Sequence, residues 1–254
     1  MRFVLTLLAV CLFSFNSFAS NQDPSSNRLS FAASSVVVPV MANLQGLQGA
    51  FFKTQVSILN PSNFNYPIAV TLYGPNGIVG SQNLAMAPGQ IRNYSNFLQE
   101  VFTYTGAGSV RFDSQAPDAA SADFQFIVQS EVYWDTANGN YGTVVPAVIY
   151  TASNFDSYSI GVNVSDAART NIGCFNDSAG TNVVEAAVYD SSGQLADTVV
   201  MTLGAHSWGQ MAVTANVAGG YIRWRPTLPA YCYAVVVDNR TNDGNFILAS
   251  EFVP

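Results

Sequence analysis

The chain repeats itself, and this duplication limits its fold more than any other feature of the sequence. The segment from Lys53 to Asn60 aligns without a gap with the segment from Arg169 to Asn176, 116 residues later. Val-Pro pairs recur at a similar interval and end at Pro39, Pro146 and Pro254. Self-similarity at a fixed period indicates a duplicated unit. We therefore predict two copies of one module, at residues 36–145 and 146–254.

The first 19 residues have the layout of a removable secretory signal. Arg2 supplies a positive start, an apolar run extends from Phe3 to Phe13, and small residues precede a cleavage site after Ala19. We predict a signal peptide over residues 1–19 and a flexible polar leader over residues 20–35. No later stretch reaches the ~20 apolar residues that a transmembrane helix needs, so we expect no such helix in the mature chain.

The charge of the chain disfavours two classes of partner. The sequence has 9 basic and 16 acidic residues, for a formal net charge of −7. Nucleic-acid binding depends on clustered Lys and Arg that release counterions from phosphates, so we expect no nucleic-acid partner. An anionic membrane surface is disfavoured for the same reason. Charged residues make up only 10 % of the chain, and the neutral polar surface that this implies suits an exported protein.

Core-facing positions alternate with solvent-facing ones in the repeated segments, as in half-buried β-strands. The predicted inward positions of the aligned segments are Thr54, Val56 and Ile58 in the first copy and Thr170, Ile172 and Cys174 in the second. Those of the following strand are Ile68, Val70 and Leu72 in the first copy and Val184, Ala186 and Val188 in the second. Both copies therefore keep one apolar face on each strand.

Turn signals between these strands predict hairpins and leave room for only one helix. Glycine allows the positive φ of tight turns at Gly74–Gly77 and Asp190–Gly193. The segment from Tyr94 to Phe102 has the spacing of one short helix, with Phe97, Val101 and Leu98 on its buried side. Many short strands with almost no helix predict an all-β fold of two tandem immunoglobulin-like β-sandwich domains.

Several motifs give the chain a resemblance to a known family. The segments that carry it are Val38-Pro39, Lys53 to Asn60, Ala87 to Gln90, Tyr94 to Leu98 and Gly106 to Phe112. On these segments the chain resembles a family of exported bacterial proteins built from tandem immunoglobulin-like β-sandwich modules, many without an assigned function. The second copy departs from the pattern, with Gly204-Ala205-His206 in place of Pro-Gly and no counterpart of the short helix. The resemblance implies a fold and a location outside the cytoplasm, and it implies no catalytic residue.

Cys174 and Cys232 are the two cysteines of the predicted mature chain. An even number in an exported protein favours a disulfide over the alternative of two buried free thiols. Cys174 takes the core-facing place of Ile58, and Cys232 lies in the apolar segment from Tyr231 to Val237. We expect a bridge between the two sheets of the second module. Closing a loop of 58 residues would stabilise that module by about 4 kcal/mol.

The sequence contains no set of residues typical of an enzyme. His206 is the only histidine, which excludes a zinc site with several histidines, and no Gly-x-Ser-x-Gly motif accompanies it. Two carboxyl groups would suffice for glycoside hydrolysis, which keeps a carbohydrate-active protein as an alternative. The acidic residues grouped in the first copy are Asp113, Asp118, Asp123, Glu131 and Asp135. We interpret them as solvated charges and predict no catalytic residue.

Two further features suggest binding. The closing turns at residues 135–140 and 238–245 are rich in oxygen ligands that suit calcium, although Asn, Asp and Gly are also what hairpin turns require. We predict no cofactor and no metal-binding residue, with calcium as the alternative. Exposed aromatic rings and arginines anchor partners. The candidate binding surface consists of Tyr133, Trp134, Arg223 and Arg225.

These observations predict an exported, non-enzymatic structural or binding module that is secreted, periplasmic or at the cell surface. Its partner would be a protein or a glycan, recognised through loops or an exposed sheet edge, where unpaired backbone groups accept an added strand. A carbohydrate-binding or carbohydrate-active protein is the first alternative. An outer-membrane β-barrel is the second, because alternating strands with many aromatic residues also fit that setting.

Overall fold

The computed structural model describes residues 32–119, 121–137, 139–149, 152 and 154–251. The predicted signal peptide, most of the predicted leader and Pro254 of the repeated Val-Pro pairs lie outside these ranges. Paired structure starts at Ala33, which exchanges two backbone hydrogen bonds with Phe126, at 3.0 and 2.9 Å. The end of the predicted leader therefore belongs to the folded part. Within the described ranges, no helix is long and apolar enough to cross a membrane.

The described part of the chain is all-β, with antiparallel sheets and one short α-helix. The first half of the chain contains β1 (Ser35–Gln45), β2 (Phe51–Leu59), β3 (Tyr66–Gly74), β4 (Gly77–Met86), β5 (Ile91–Tyr94), α1 (Phe97–Phe102), β6 (Gly106–Ser114), β7 (Ile127–Thr136), β8 (Gly139–Pro146) and β9 (Val148–Ile149). The second half contains β10 (Ser157–Val164), β11 (Ala168–Asn176), β12 (Asn182–Tyr189), β13 (Leu195–Leu203), β14 (Ser207–Ala212), β15 (Val217–Pro226), β16 (Ala230–Asp238), β17 (Gly244–Leu248) and β18 (Ser250–Glu251). Short 3₁₀ turns occur at Leu47–Gly49 and Ala122–Phe124.

The two halves arrange their strands in the same order. In the first half, the hydrogen-bonded strand orders are β4-β3-β6-β1 and β5-β2-β7-β8. Pairing between the end of β1 and the start of β2 joins these two groups into one sheet. In the second half, β13-β12-β15-β10 and β14-β11-β16-β17 follow the same order as two separate sheets. Inward apolar faces pack together, which gives a β-sandwich architecture.

The alternation predicted from the sequence is confirmed by burial. All of the predicted inward positions of β2, β3, β11 and β12 are at most 1 % exposed. The hairpin turns also lie where glycine predicts them, with φ of +105° at Gly77 and +81° at Gly193. An L side chain rarely adopts these angles. Period-two patterns and turn glycines are sufficient here because each strand has only one face toward its own core.

The short helix α1 begins three residues later than the sequence predicts. Glu100 explains its start, because its Oε1 accepts hydrogen bonds from the Ser95 hydroxyl at 3.0 Å and the Asn96 amide at 2.8 Å. These bonds fix the two preceding residues outside the helix, as in a capping arrangement. Phe97 and Leu98 are fully buried, whereas Val101, predicted to be buried, is only partly so.

One threonine in each aligned segment makes the same pair of hydrogen bonds to the backbone of the preceding strand. Thr54 accepts a hydrogen bond from the Ala42 amide at 2.7 Å and donates to its carbonyl at 3.1 Å. Thr170 does the same with Asn163, at 3.2 and 2.6 Å. Each threonine thus ties the strand before it to its own strand. A buried hydroxyl with two partners satisfies itself and the backbone at once.

Asn60 and Asn176 hold equivalent turns in the two halves. The Asn60 amide donates to the carbonyls of Phe64, Met86 and Ala87, at 2.8 to 3.3 Å. The Asn176 amide donates to the carbonyls of Gly180 and Gly204, at 2.8 and 2.6 Å. Both side chains are fully buried. The repeated asparagine therefore satisfies backbone carbonyls that the loops would otherwise bury without a donor.

The predicted disulfide is confirmed, but its place in the fold differs from the prediction. Cys174 and Cys232 are bonded, with Cα atoms 4.1 Å apart. They are direct partners on the neighbouring strands β11 and β16, so the bridge lies within one sheet and not between sheets. In the first half the corresponding partners are Ile58 and Val128. A cross-strand pair brings Cβ atoms close enough for either an apolar contact or a bond.

The halves share part of their core. One apolar cluster consists mostly of first-half residues but includes Phe175, Trp208, Tyr231 and Tyr233 of the second half. A second cluster contains only second-half residues. The Phe175 ring lies 4.6 Å from that of Tyr73. The outer face of the four-stranded sheet in the second half is therefore covered by the first half.

Candidate binding cleft

Tyr133 and Trp134, two of the predicted surface residues, make internal contacts near the end of β7. Tyr133 is 7 % exposed, and its hydroxyl donates to the Ser95 carbonyl at 3.0 Å. Lys53 Nζ lies 5.2 Å from the centre of its ring. Trp134 is partly buried, and its Nε1 donates to the Thr241 carbonyl of the second half at 3.2 Å. Trp134 thus joins the two halves.

Arg223 and Arg225, the other predicted pair, lie on the outer face of β15, in a different sheet. Arg223 pairs with Asp156, with its Nε 2.8 Å from the carboxylate. Arg225 pairs with Glu185 at 2.9 Å. No contact among the described residues joins either arginine to Tyr133 or Trp134. The structure therefore divides the predicted surface into two separate places.

In the closing turn of the second half, two carboxylates accept hydrogen bonds from backbone amides. Asp238 Oδ1 accepts from the amides of Arg240 and Thr241, at 2.8 and 2.9 Å, and these bonds lower the pKa of its carboxyl. Asp243 Oδ1 accepts from the amides of Gly142 and Gly244, both at 3.1 Å. Asn138 of the first turn lies outside the described residues. In the described part of the chain, no group of three or more His, Cys, Asp and Glu residues is placed to hold a metal ion.

Three of the five grouped carboxylates of the first half have polar side-chain partners on the sheets, and the other two, Asp118 and Asp123, lie in the connection between β6 and β7. Asp113 accepts from the Ser35 hydroxyl and from Arg111 Nε, both at 2.7 Å. Glu131 accepts from Gln55 at 2.5 Å, and Asp135 pairs with Lys53. Their pairs lie in different ladders, with Asp113 on β6 and both Glu131 and Asp135 on β7.

His206 lies in a turn of the second half that contacts the first half. Its φ is +49°, a left-handed conformation, and its ring lies 6.4 Å from that of Tyr73. Nearby, Arg111 of the first half pairs with Asp177 of the second at 3.5 Å. Burial raises the pKa of the Asp177 carboxyl, and the charges of Arg111 and His206 oppose this rise. This group of charges belongs to the contact between the halves.

A cleft of about 600 Å³ lies between the two halves and is lined mainly by apolar side chains. Leu47 is 61 % exposed and marks where the cleft opens to solvent. Lining residues from the first half include Val40, Ala42, Tyr104 and Val132, and those from the second include Trp208, Ala212 and Val235. Neither half alone supplies this cleft.

A chain of hydrogen bonds fixes one wall of the cleft. Trp208 Nε1 donates to the Tyr233 hydroxyl, which donates to Gln210 Oε1, each at 3.0 Å. Burial raises the pKa of Tyr233, so its hydroxyl keeps the proton that it donates. The ring fits only because residue 173 is glycine, where a Cβ would lie 2.3 Å from the Tyr233 oxygen.

Arg169 is the charged residue of this cleft among the described lining residues. Its two terminal nitrogens donate to the amide oxygens of Asn239 and Asn242, at 3.0 and 2.8 Å. Burial lowers its pKa, because desolvation disfavours the charged guanidinium. The alignment with Lys53 is the sequence signal for Arg169. That signal could not be interpreted without knowing what surrounds the two side chains.

A second cavity, of about 650 Å³, lies on the outer face of β2, β5, β7 and β8. Its lining is polar and includes Gln55, Ser57, Asn93, Gln129 and Glu131. The Ser57 hydroxyl donates to Asn93 Oδ1 at 2.7 Å. Amide, hydroxyl and carboxylate groups therefore line one open sheet face.

Comparison with known proteins adds little. No protein-family model matches the chain, and none of the curated proteins matches it. The chain is similar to a Bacteroides uniformis β-glucuronidase structure, with 14 % identity over 82 % of this chain and 25 % of that chain, at a TM-score of 0.16. It is also similar to Bacteroides uniformis β-glucuronidase 2 covalently bound to cyclophellitol-6-carboxylate aziridine, with 14 % identity over 79 % of this chain and 24 % of that chain, at a TM-score of 0.16. The chain spans about a quarter of these proteins' length, and so low a TM-score carries no argument.

Proposed function

We propose that this chain is an exported, non-enzymatic binding protein that holds a small apolar molecule in the cleft between its halves. The cleft carries the proposal, since its volume of about 600 Å³ lies within the range of roughly 300–1,000 Å³ typical of small-molecule sites. A mainly apolar lining with a few placed polar groups is also typical of such sites. The cleft replaces loops and sheet edges as the favoured recognition site, because it encloses apolar surface from both halves.

The proposal includes two tandem immunoglobulin-like modules, at residues 36–145 and 146–254. It is supported by the shared strand order and by the matching roles of Thr54 and Thr170. Secretion, or a place in the periplasm or at the cell surface, is supported by the disulfide, which persists in oxidising compartments.

Binding of a neutral apolar dye tests the proposal. We expect N-phenyl-1-naphthylamine to bind the purified mature chain at one saturable site, with a rise in fluorescence. The Ala212→Trp variant should weaken this binding by about tenfold or more, because Ala212 lines the cleft and a tryptophan would occupy part of its volume. Ala85→Trp is the matched control, on the exposed side of β4 and away from the cleft.

Two results would count against the cleft as a binding site. One is that no saturable dye binding occurs. The other is that the variants at Ala212 and Ala85 bind the dye as the wild type does. Circular dichroism of each variant shows whether the fold is intact.

Glycan recognition is the second candidate function, favoured by the polar cavity on the sheet face of the first half. Hydroxyl-rich ligands suit a lining of amide and carboxylate groups, each of which donates or accepts hydrogen bonds. A glycan array probed with the wild type and with Glu131→Gln tests it. We expect selective binding that the variant reduces, and an array without any positive glycan would reject this candidate.

A further inference from the structure

We propose that the cleft selects small apolar carboxylic acids and that Arg169 pairs with their carboxylate. This inference rests on the proposed function of the cleft as a binding site. It adds the chemical class of the ligand and the residue that chooses it.

In the first half, the equivalent cation already has a carboxylate. Lys53 lies opposite Tyr133 on β7, and two residues further along the chain Asp135 forms an ion pair with it. In the second half, Arg169 lies opposite Val237 on β16. Two residues beyond Val237 the chain has Asn239, whose amide oxygen takes the place of a carboxylate.

The second half therefore keeps a cation, Arg169, but has the neutral Asn239 where the first half has the acid Asp135. A guanidinium has five N–H donors, and the hydrogen bonds to Asn239 and Asn242 use only neutral acceptors. Arg169 has no carboxylate within ion-pair distance among the described residues.

Most other basic residues in the described ranges have a carboxylate partner. Seven basic residues lie in the described ranges, and five of them form ion pairs: Lys53, Arg111, Arg223, Arg225 and Arg240. Arg92 is the other without a carboxylate partner, but it does not line the cleft. An uncompensated cation beside an apolar cavity is where an anionic group of a ligand gains most, because burial strengthens the attraction.

The rest of the cleft selects an apolar body. The wall built by Trp208 and the side chains of Val40, Val132 and Val235 offers no charge to a second polar group. A ligand with one carboxylate and a saturated chain would place its charge at Arg169 and bury the chain against these residues. A planar guanidinium also matches a carboxylate with two parallel hydrogen bonds.

Calorimetric titration of the mature chain with decanoate and with decanol tests this inference at neutral pH. The two probes have the same chain length and differ in charge. We expect the wild type to bind decanoate at least about tenfold more tightly than decanol, as a charge-assisted hydrogen bond implies. Arg169→Gln should lower that preference to about one.

Asn239→Asp is the sharper variant, because it keeps Arg169 and the size of the side chain. It restores the acid that the first half has, so we expect the cation to be neutralised internally and the preference for decanoate to fall to about one. Asp135→Asn is the matched control in the first half and should keep the full preference, since Asp135 does not line the cleft.

Each outcome separates the inference from the proposed function. Equal binding of decanoate and decanol by the wild type, or an undiminished preference in Asn239→Asp, overturns the inference and leaves the apolar cleft as a binding site. Failure of both probes to bind, together with failure of the neutral dye, overturns both. Thermal unfolding followed by circular dichroism confirms that each variant is folded at the temperature of the titration.

Discussion

Replacing Cys174 with Ala and Cys232 with Val tests how much stability the disulfide supplies. The bond closes a loop of 58 residues, and restricting the unfolded chain over such a loop is worth about 4 kcal/mol. Both cysteines are nearly inaccessible, at 0 and 4 % exposure. In the first half Ile58 and Val128 fill the same cross-strand position. An apolar pair is therefore compatible with this site, and most of the loss should come from the missing loop closure.

Urea unfolding followed by tryptophan fluorescence measures this loss by linear extrapolation to water. We expect the free energy of unfolding to fall by about 4 kcal/mol relative to the oxidised wild type. The native protein should also resist a reductant until urea unfolds it, because both cysteines are buried. A loss below about 1 kcal/mol would refute the loop-closure argument.

The same reasoning predicts a gain in the first half. Ile58→Cys combined with Val128→Cys places two cysteines as direct strand partners, as Cys174 and Cys232 are. We expect a second disulfide that adds about 4 kcal/mol, since the loop is of similar length. A thiol count after denaturation shows whether it forms. Two free thiols in the folded protein would contradict the equivalence of these positions.

Two further predictions concern buried polar groups. Asn60→Ala and Asn176→Ala should each lower the free energy of unfolding by about 2–3 kcal/mol, because buried carbonyls lose their donor. Asn60→Asp should be no better, since a carboxylate cannot donate, and an Asp variant as stable as the wild type in urea would contradict this role. Burial raises the pKa of Asp177 above its ordinary 3.8, so the folded state holds this proton more tightly than the unfolded state does. Its stabilising contribution is present below the ordinary pKa and is lost as pH rises through the folded pKa. Asp177→Asn should therefore be more stable than the wild type at pH 7 and no more stable near pH 3. If the urea midpoints of the variant and the wild type differ by the same amount at pH 7 and pH 3, this reasoning is refuted.

Much of each half can be predicted from the sequence because one face of most strands lies in a core. Val56 and Ile58 alternate with the polar residues Gln55 and Ser57, and the structure buries the two apolar side chains. The partner of Cys174 follows from there being only one other cysteine in the predicted mature chain. The sheet that holds the bridge does not follow, because alternation gives the face of a residue and not the neighbouring strand.

The contact between the halves is the main feature that the alternation of apolar and polar residues does not predict. The segment from Tyr231 to Val237 is apolar on both faces, which is typical of a strand covered on both sides. Tyr231 and Tyr233 pack in the cluster shared with the first half, whereas Cys232 and Ala234 pack in the core of the second. The apolar segment therefore indicates that both faces of this strand are covered, but it does not indicate which part of the chain covers the second face.

The position of Arg169 could not be predicted for a related reason. Its alignment with Lys53 suggests a solvent-facing cation, and in the first half that cation has Asp135. Only strand register shows that Asn239 takes the corresponding place, because the two repeats differ in spacing after β11. Tyr133 and Trp134 are aromatic residues that the sequence suggests as binding residues, yet Tyr133 donates to Ser95 within its own half and Trp134 donates to Thr241 of the second half.

Pulsed hydrogen exchange along a urea titration tests most directly whether the halves form one body around a shared core. Mass spectrometry then reads the unfolding midpoint of β3 and β12 separately. We expect β3 and β12 to have coincident midpoints in the wild type. Both midpoints should fall together when Cys174→Ala and Cys232→Val remove a bond that lies only in the second half. A midpoint for β3 that stays at its wild-type value while that of β12 falls would contradict the shared core and the cleft built on it.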